Sequence, residues 1–219
     1  MKDRIGLILH PEQEKYLERL LPDQDPLLLE MERFAEVHGV PIADREVATF
    51  LEITVRTIGA KRVLEVGTAI GYADIFMARA LPPDGKVVTI DVSEEMIGKA
   101  SDFVKRAGVA DRVEFHNGPA LTIIPTLGGS FDLVYLDAVK EEYVAYLDLV
   151  LPLTRIGGVF ICDNVLWKGQ VASGRLLADR YRRSTEALRA FNDYFVNHPG
   201  LLGQILPLGD GLAYGVKVA

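Results

Sequence analysis

The first sixty residues repeat apolar positions with the period of an α-helix. Apolar residues recur three or four positions apart in three segments, which cover 11–21, 26–38 and 43–58. Asp25 and Pro26 open the second segment as an N-cap and a proline at the first helical position, and Gly39 and Gly59 follow the second and third segments. The pattern predicts three helices that form an N-terminal cover over residues 1–60.

From residue 61 onward, short apolar runs alternate with amphipathic stretches. The apolar runs have the length and composition of buried strands and lie at 62–66, 87–90, 113–115, 131–136 and 158–162. The amphipathic stretches lie near 71–81, 93–107, 119–127 and 140–151. This alternation predicts parallel strands joined by crossover helices, and therefore an α/β fold with helices on both faces of the sheet.

The C-terminal part departs from this alternation. A long polar helix is predicted from about 177 to 196, and two apolar runs follow at 201–206 and 212–218. The connection at 207–211 reads PLGDG and is a turn signal, so these runs are predicted to form an antiparallel hairpin at or near a sheet edge. We therefore expect one domain over 1–219, with a mostly parallel seven-stranded sheet and a ligand-binding core at 61–219.

Composition excludes several classes of protein. The chain has 219 residues, 49% of them hydrophobic and 25% charged, as in an ordinary globular protein. Its apolar runs fall short of the roughly 20 residues that span a bilayer, so we expect a cytoplasmic protein with no membrane partner. The net charge of −7 disfavours nonspecific nucleic-acid binding, and a single cysteine, Cys162, excludes an internal disulfide or a multi-cysteine metal site.

Candidate ligand-binding residues follow the first two strands. Gly67 and Gly71 stand between the first strand and the next helix, and Glu65 precedes them. Binding of a dinucleotide pyrophosphate requires three glycines at this turn, whereas a carboxylate suits a cationic ligand or an ammonium group. Asp91 closes the second strand, where it can accept hydrogen bonds from two ribose hydroxyls. The alternatives are a turn without a ligand and, for Asp91, a helix N-cap.

A second set of polar residues ends the fourth and fifth strands. Asp137 follows the fourth strand, and Asp163 and Asn164 follow the fifth, so all three are expected at the same rim as Gly67. Two carboxylates and an amide oxygen suit Mg²⁺, Mn²⁺ or Ca²⁺ rather than zinc. Lys140 lies three residues after Asp137, where its uncharged amine can act as a general base. The alternatives are that Asp163 and Asn164 form a turn, that Asp137 is a helix N-cap and that Lys140 is a solvated surface lysine.

These motifs together resemble a known enzyme family. Glu65-x-Gly67 with Asp91 resembles motif I of the class I S-adenosylmethionine-dependent methyltransferases. With Asp137-x-x-Lys140 and Asp163-Asn164 added, residues from about 25 to 217 are similar to the metal-dependent catechol and caffeoyl-CoA O-methyltransferases. The resemblance implies a Rossmann-like class I methyltransferase that uses S-adenosylmethionine and a divalent metal, with Mg²⁺ favoured.

The resemblance also implies roles for individual residues. The metal would be bound by Asp137, Asp163 and Asn164 and would chelate two neighbouring substrate oxygens, while Lys140, beside Asp137, deprotonates the hydroxyl. The implied contacts to S-adenosylmethionine are Val40, Glu65, Gly67, Thr68, Gly71, Tyr72, Asp91, Ala120 and Asp137. Two residues depart from the family pattern. Many family members have a glutamate at the position of Asp91, and an aspartate is frequent in the family at the position of Val139.

Within the family, several segments look most like the bacterial tRNA 5-hydroxyuridine methyltransferases. They lie at 38–42, 163–169, 191–194, 197–199 and 206–212. The resemblance implies methylation of the wobble 5-hydroxyuridine to 5-methoxyuridine, with the tRNA anticodon region as partner. The alternatives are a small-molecule O-methyltransferase acting on catechols or other vicinal dihydroxy phenolics, and a protein that binds S-adenosylmethionine without catalysis. The catalytic set speaks against the last, and the family implies a homodimer.

Charge placement gives independent support for a nucleic-acid substrate. The stretch from Arg175 to Arg189 contains Arg180, Arg182 and Arg183, and it follows the predicted metal-binding loop. It is expected either to contact anticodon phosphates or to form a solvated helix face. Next to Asn164 along the chain, Trp167 and Lys168 are candidate substrate contacts, and Trp167 is expected to stack on a base or a phenol or to pack in the core.

Overall fold

The N-terminal cover consists of three helices. The structure is a computed structural model that describes residues 11–22, 25–174 and 179–219. In it, α1 is Pro11–Leu20, α2 is Pro26–His38 and α3 is Arg45–Thr57. The Asp25 side chain caps α2 by accepting a hydrogen bond from the Leu28 N–H at 3.0 Å. Gly39 ends this helix in the left-handed conformation, with φ +65°. The three predicted helices are confirmed over the described residues.

The sheet has seven strands in the order β3-β2-β1-β4-β5-β7-β6. The strands are β1 Arg62–Val66, β2 Lys86–Asp91, β3 Val113–Asn117, β4 Phe131–Leu136, β5 Thr154–Cys162, β6 Leu201–Leu206 and β7 Leu212–Lys217. β1 to β5 are mutually parallel, whereas β7 runs antiparallel to both β5 and β6. The predicted mostly parallel sheet with a C-terminal hairpin at one edge is therefore confirmed.

Helices cover both faces of the sheet. Those after β1 are α4 Tyr72–Ala80, α5 Glu94–Arg106, α6 Ala120–Ile123, α7 Tyr143–Val150 and α8 Arg182–Asn197. Side chains on β1 alternate between two cores, because Val63 packs with residues of α2 to α5 and Leu64 packs with residues of α6 to α8. A central strand buried on both faces leaves its carboxyl end as the place where polar side chains meet a ligand.

Three of the predicted helices differ from the observed ones. The segment 119–127 forms only α6 and a 3₁₀ turn at Ile124–Thr126, since Pro125 lacks the N–H that would continue an α-helix. The segment 140–151 starts with a 3₁₀ turn at Lys140–Glu142 before α7 begins. The last helix, predicted from 177, begins at Arg182 after a 3₁₀ turn at Asp179–Tyr181, and residues 175–178 lie outside the described ranges. In the described ranges, no helix has both the length and the apolar character needed to cross a membrane.

Candidate active site

A cavity of about 480 Å³ lies at the carboxyl ends of β1, β2, β4 and β5. The α2–α3 loop closes one side of it with Pro41, Ile42 and Ala43. Most of the residues predicted from the sequence line this cavity, namely Glu65, Gly67, Thr68, Tyr72, Asp91, Ala120, Asp137, Lys140, Asn164, Trp167 and Lys168. The strand ends therefore bring most of the predicted cofactor and metal residues into one cavity.

Other predicted residues lie next to the cavity rather than in its wall. Val40 packs against the hydrophobic core, while its neighbours in the loop face the cavity. Gly71 begins α4 with φ +81°, and it lies so close to α5 that a Cβ would come within 3.1 Å of the Ala100 Cβ. Asp163 is buried beside Asn164. The side chains of Arg180, Arg182 and Arg183 are exposed on the surface, and Arg175 lies outside the described residues.

The turn after β1 requires a glycine at position 67. The φ of Gly67 is +107°, and a Cβ there would overlap the main-chain carbonyl oxygen of Asp137. The two strands meet at this point because the Asp137 N–H donates to the Val66 carbonyl at 2.9 Å. Gly67 thus lets the end of β1 lie directly against the end of β4.

Substituting Gly67 by alanine is expected to destabilise the fold by about 3 kcal/mol or more, because it adds backbone strain and a clash with main-chain atoms. Chemical denaturation of the purified proteins measures this difference. Gly98→Ala in α5 is the matched control, since a Cβ at position 98 meets no atom within 4 Å. A Gly67→Ala protein as stable as Gly98→Ala would contradict this account of the turn.

Asp91 is held firmly at the end of β2. Its Oδ2 accepts a hydrogen bond from the Ala69 N–H at 2.9 Å, and its Oδ1 accepts one from the Ser93 N–H at 2.9 Å. Ala69 adopts a left-handed conformation, with φ +45°, in the same turn as Gly67. A half-buried carboxylate fixed by two main-chain donors in the cavity wall is suited to accept hydrogen bonds from ribose hydroxyls.

Lys140 is held at the end of β4 by a hydroxyl and a carboxylate. Its Nζ donates to Asp137 Oδ1 at 2.8 Å and to the Tyr143 hydroxyl at 2.6 Å, and its side chain is buried. The Tyr143 hydroxyl in turn lies 3.1 Å from the Leu136 carbonyl and 3.0 Å from the Asp163 carbonyl. Burial raises the pKa of Tyr143 well above its usual value, so the phenol stays protonated and can donate to these carbonyls. The lysine is therefore fixed between the ends of β4 and β5.

Asp163 and Asn164 are fixed at the end of β5. Asp163 Oδ1 accepts hydrogen bonds from the Asn164 main-chain N–H at 2.6 Å and side-chain Nδ2 at 3.1 Å, while Oδ2 accepts one from the Tyr135 hydroxyl at 2.9 Å. Burial raises the pKa of Tyr135 well above its usual value, and so does the charge of Asp163. The tyrosine is thus a permanent donor that orients this carboxylate.

The chemistry of these side chains fits a hard divalent cation. Asp137, Asp163 and Asn164 supply carboxylate and amide oxygens from adjacent parallel strands. Within the described ranges, no three His, Cys, Asp or Glu side chains are grouped so that they could hold a metal ion. An ion at this position would therefore rely on the amide oxygen of Asn164 as well as on the two carboxylates. The free thiol of Cys162 is buried in β5.

An aromatic and cationic group lies near the mouth of the cavity, and we call Trp167, Lys168, Arg180 and Tyr181 the mouth cluster. Trp167 packs edge-on against Tyr181, with ring centroids 5.9 Å apart. The Lys168 ammonium lies 5.6 Å and the Arg180 guanidinium 4.8 Å from the centre of the Tyr181 ring. Among the described residues, none accepts a hydrogen bond from the buried Trp167 Nε1.

Sequence reasoning missed four residues that act on the site. Tyr135 and Tyr143 orient Asp163 and Lys140, Asp210 accepts the Lys168 N–H at 2.7 Å, and Asp74 lies buried behind the cavity wall. Two of them carried a sequence signal. Tyr135 precedes Asp137 by two positions and so lies on the same face of the strand, and Asp74 is the single acid in the otherwise apolar stretch 72–78.

The sheet order, the glycine turn after β1 and the acidic strand ends define a Rossmann-like class I methyltransferase. The model of the O-methyltransferase family matches residues 23–218. The chain belongs to this family, and the prediction that the protein is an O-methyltransferase is confirmed at that level.

Individual relatives agree with this assignment. The chain is 38% identical over 195 residues to a catechol O-methyltransferase of Mycobacterium tuberculosis, with 87% of this chain and 86% of that protein covered. It is 34% identical over 170 residues to caffeoyl-CoA O-methyltransferase 1 of Eucalyptus globulus, with 74% and 69% covered. The crystal structure of the O-methyltransferase TomG from Streptomyces achromogenes, involved in tomaymycin synthesis and solved with SAM, superposes with a TM-score of 0.84 at 29% identity, covering 95% of this chain and 96% of TomG.

Proposed function

We propose that the protein transfers the methyl group of S-adenosylmethionine to one of two neighbouring oxygens on its substrate, with a divalent cation held by Asp137, Asp163 and Asn164. One observation carries this proposal. The Lys140 amine, 2.8 Å from Asp137, lies in the same cavity as the glycine turn and Asp91. The residues proposed for proton transfer and for nucleoside binding thus line the same cavity as Asp137 and Asn164 of the proposed cation site.

The cofactor side of the proposal rests on residues of β1 and β2. Asp91, Gly67 and Thr68 line the cavity, so Asp91 would accept hydrogen bonds from the ribose hydroxyls and the turn at Gly67 and Thr68 would contact the methionine end through its main chain. Support for S-adenosylmethionine also comes from TomG, which was solved in complex with it.

The catalytic side rests on Lys140 and the groups around it. When bound, a divalent cation such as Mg²⁺, or alternatively Mn²⁺ or Ca²⁺, lowers the pKa of a substrate hydroxyl, and S-adenosylmethionine supplies the methyl group. Lys140 receives the hydroxyl proton on its Nζ, and Tyr143 keeps that nitrogen aimed at the substrate. Because Lys140 and Tyr143 are buried, few water molecules can compete for the transferred proton.

Small aromatic compounds with vicinal hydroxyls are the first substrate class. The names of the relatives favour it, since they include a catechol and a caffeoyl-CoA O-methyltransferase. A catechol offers two neighbouring oxygens on one planar ring. Val139, which is exposed and lines the cavity, gives the entrance an apolar side that suits such a ring.

Wobble 5-hydroxyuridine in tRNA is the second candidate, and the mouth cluster favours it. The O4 and 5-oxygen of this base are neighbours, as in a catechol. Arg180 and Lys168 flank Tyr181 near the entrance, where the phosphates of a longer substrate would lie. Arg182, however, pairs with Asp179 at 3.0 Å, and Arg189 donates to the carbonyls of Gln170 and Val171, so part of this basic stretch is structural.

A methylation assay distinguishes the two candidate substrates. The protein is incubated with S-adenosylmethionine and Mg²⁺, with and without chelator, and is offered tRNA bearing 5-hydroxyuridine or 3,4-dihydroxyphenyl compounds. Mass spectrometry identifies the methylated product. Methylation that chelator abolishes is expected for at least one substrate, and failure of both substrates with metal present would refute the proposed reaction.

The mouth cluster provides the variant for this assay. Arg180→Ala is expected to raise KM for tRNA about tenfold by removing one phosphate contact and to leave KM for a catechol unchanged. Arg56→Ala, in which the lost arginine is exposed on α3, is the control. Equal effects of Arg180→Ala and Arg56→Ala on tRNA would remove the support for a nucleic-acid substrate.

We also propose that the protein forms a homodimer. Its support on this chain is the exposed apolar side of α1, where Tyr16, Leu17 and Leu20 are each about half exposed.

A further inference from the structure

Asp74 is a completely buried carboxyl group in α4. It is the third residue of this helix, and the residues from Tyr72 to Ala78 are buried with it. Among the described residues, no N–H or O–H group donates a hydrogen bond to either carboxylate oxygen of Asp74. Because an ionised carboxylate without a donor is strongly disfavoured in a protein interior, a proton from another group is needed here.

That proton is available from Glu65. Glu65 is buried at the end of β1, lines the cavity, and lies within hydrogen-bonding range of Asp74. Thr89 Oγ1 donates to Glu65 Oε2 at 2.8 Å, and Thr68 Oγ1 lies 2.7 Å from Thr89 Oγ1. Since the single hydroxyl proton of Thr89 goes to Glu65, Thr68 is the donor to Thr89. Asp74 is then left facing the carboxyl group of Glu65.

The electrostatics of the pair agree with this geometry. Burial raises the pKa of Glu65 well above its usual value, and the charge of Asp74 adds to this effect. Burial raises the pKa of Asp74 to about 6, although a hydrogen bond from the Glu65 carboxyl group holds it down. The other groups that face the pair are Asp91 on β2, the neutral phenol of Tyr135 on β4 and Asp137 directly after β4, and none of these is a cation.

We propose that Glu65 and Asp74 hold one proton between them at neutral pH, and that this carboxyl pair is the single negative counter-charge for the positively charged methionine end of S-adenosylmethionine. Asp74 is then a positioning residue, which acts on the cofactor through Glu65. The inference rests on the proposed use of this cofactor, whose ammonium and sulfonium groups are the cations to be bound. It also changes the role expected for Glu65, which meets the ligand as a protonated acid while Asp74 carries the charge.

Infrared spectroscopy of the ligand-free protein tests the shared proton. At pH 7 the wild type is expected to show the carbonyl band of a buried protonated carboxylic acid, and Glu65→Gln is expected to lack it. Asp74→Asn should also lose the band, because the new amide donates to Glu65 and lets it ionise. Asp74→Leu should keep the band, because Glu65 then remains buried and neutral. A purely structural role for Asp74 would not produce this pattern.

Calorimetric titration with S-adenosylmethionine tests the counter-charge. Wild-type affinity is expected to fall about tenfold between pH 7 and pH 5, because Asp74 loses its charge as the pH drops through about 6. Asp74→Asn keeps one charge, on Glu65, and should bind within about threefold of wild type at pH 7. Asp74→Leu and the isosteric Glu65→Gln/Asp74→Asn double variant have no charge and should bind about tenfold more weakly.

If leucine at position 74 disturbs folding, the double variant still tests the proposal. Asp102→Asn, on the exposed side of α5, is the control for loss of a negative charge. Absence of the acid band in the wild type would overturn the shared proton. Equal affinity of Asp74→Asn and the double variant would overturn the counter-charge. If the wild type binds no S-adenosylmethionine at any pH, the proposed cofactor is wrong, while the infrared spectra still decide whether the proton is shared.

Discussion

Replacing Lys140 by methionine is expected to lower kcat about a thousandfold, within the range that general acid–base groups contribute. Methionine matches the length and apolar stem of lysine but has no proton acceptor. The lysine amine lies 2.8 Å from Asp137 and 2.6 Å from the Tyr143 hydroxyl. The substitution therefore removes a nitrogen inside the cavity and not a charge on the protein surface. Steady-state kinetics with the substrate identified in the methylation assay measure the effect.

Two comparisons separate proton transfer from a general loss of structure. Affinity for S-adenosylmethionine should stay close to that of the wild type, because the hydrogen bonds of Lys140 go to Asp137 and Tyr143 and not to Asp91 or the turn at Gly67. Lys105→Met, at an exposed position in the last turn of α5, is the control for loss of a lysine. A nitro-substituted catechol, whose hydroxyl ionises more easily, should lose less activity in Lys140→Met than an unsubstituted one. An equal loss for both catechols would argue against the lysine as base.

The arrangement of the sheet is predictable from sequence because it follows from local patterns. Buried parallel strands give continuous apolar runs, and their spacing leaves room for one crossover helix each. The same patterns fail at 119–127 and 140–151, where apolar periodicity continues through a 3₁₀ turn and through Pro125. Periodicity reports which side of a segment is buried, and it does not report which hydrogen-bonding pattern the main chain adopts.

The positions of the main site residues are predictable for the same reason. Asp91, Asp137 and Asp163 stand at strand ends, and parallel topology brings all strand ends to one edge. The tyrosines that orient these groups are not predictable in this way. Tyr135 on β4 contacts Asp163 at the end of the neighbouring strand β5, 28 positions away in sequence, and a buried tyrosine in a strand is usually a core residue.

The protonation state proposed for Glu65 depends on burial, which the sequence does not show. From sequence it is a carboxylate beside a glycine turn. In the folded chain it is buried beside Asp74 at the cavity wall, and burial raises the pKa of both acids, which supports the proposed shared proton. The acid at position 74 is visible in the sequence, but only the packing of α4 against β1 and β2 shows that it has no other donor within the described residues.

Replacing Asp163 by asparagine is expected to lower Mg²⁺ affinity and metal-dependent activity by more than about a hundredfold, since changes to outer-shell partners of metal ligands already have effects of 10- to 100-fold. The substitution keeps the shape of the side chain but removes its charge. Tyr135→Phe, which removes the hydroxyl 2.9 Å from Asp163, should weaken Mg²⁺ binding about tenfold through orientation alone. Activity measured over a Mg²⁺ titration gives both values.

The order of these two effects distinguishes a metal ligand from a structural carboxylate. If Asp163 only tied the end of β5 in place, both variants would lose thermal stability and no Mg²⁺ concentration would restore activity. If it binds the ion, Tyr135→Phe should regain wild-type kcat at high Mg²⁺, whereas Asp163→Asn should not. Asp148→Asn, which alters an exposed aspartate bound to Tyr194, supplies the control for loss of an acid. If Asp163→Asn showed the same Mg²⁺ dependence as the wild type, Asp163 would not be a ligand. The ion would then not bind at this edge of the sheet as proposed.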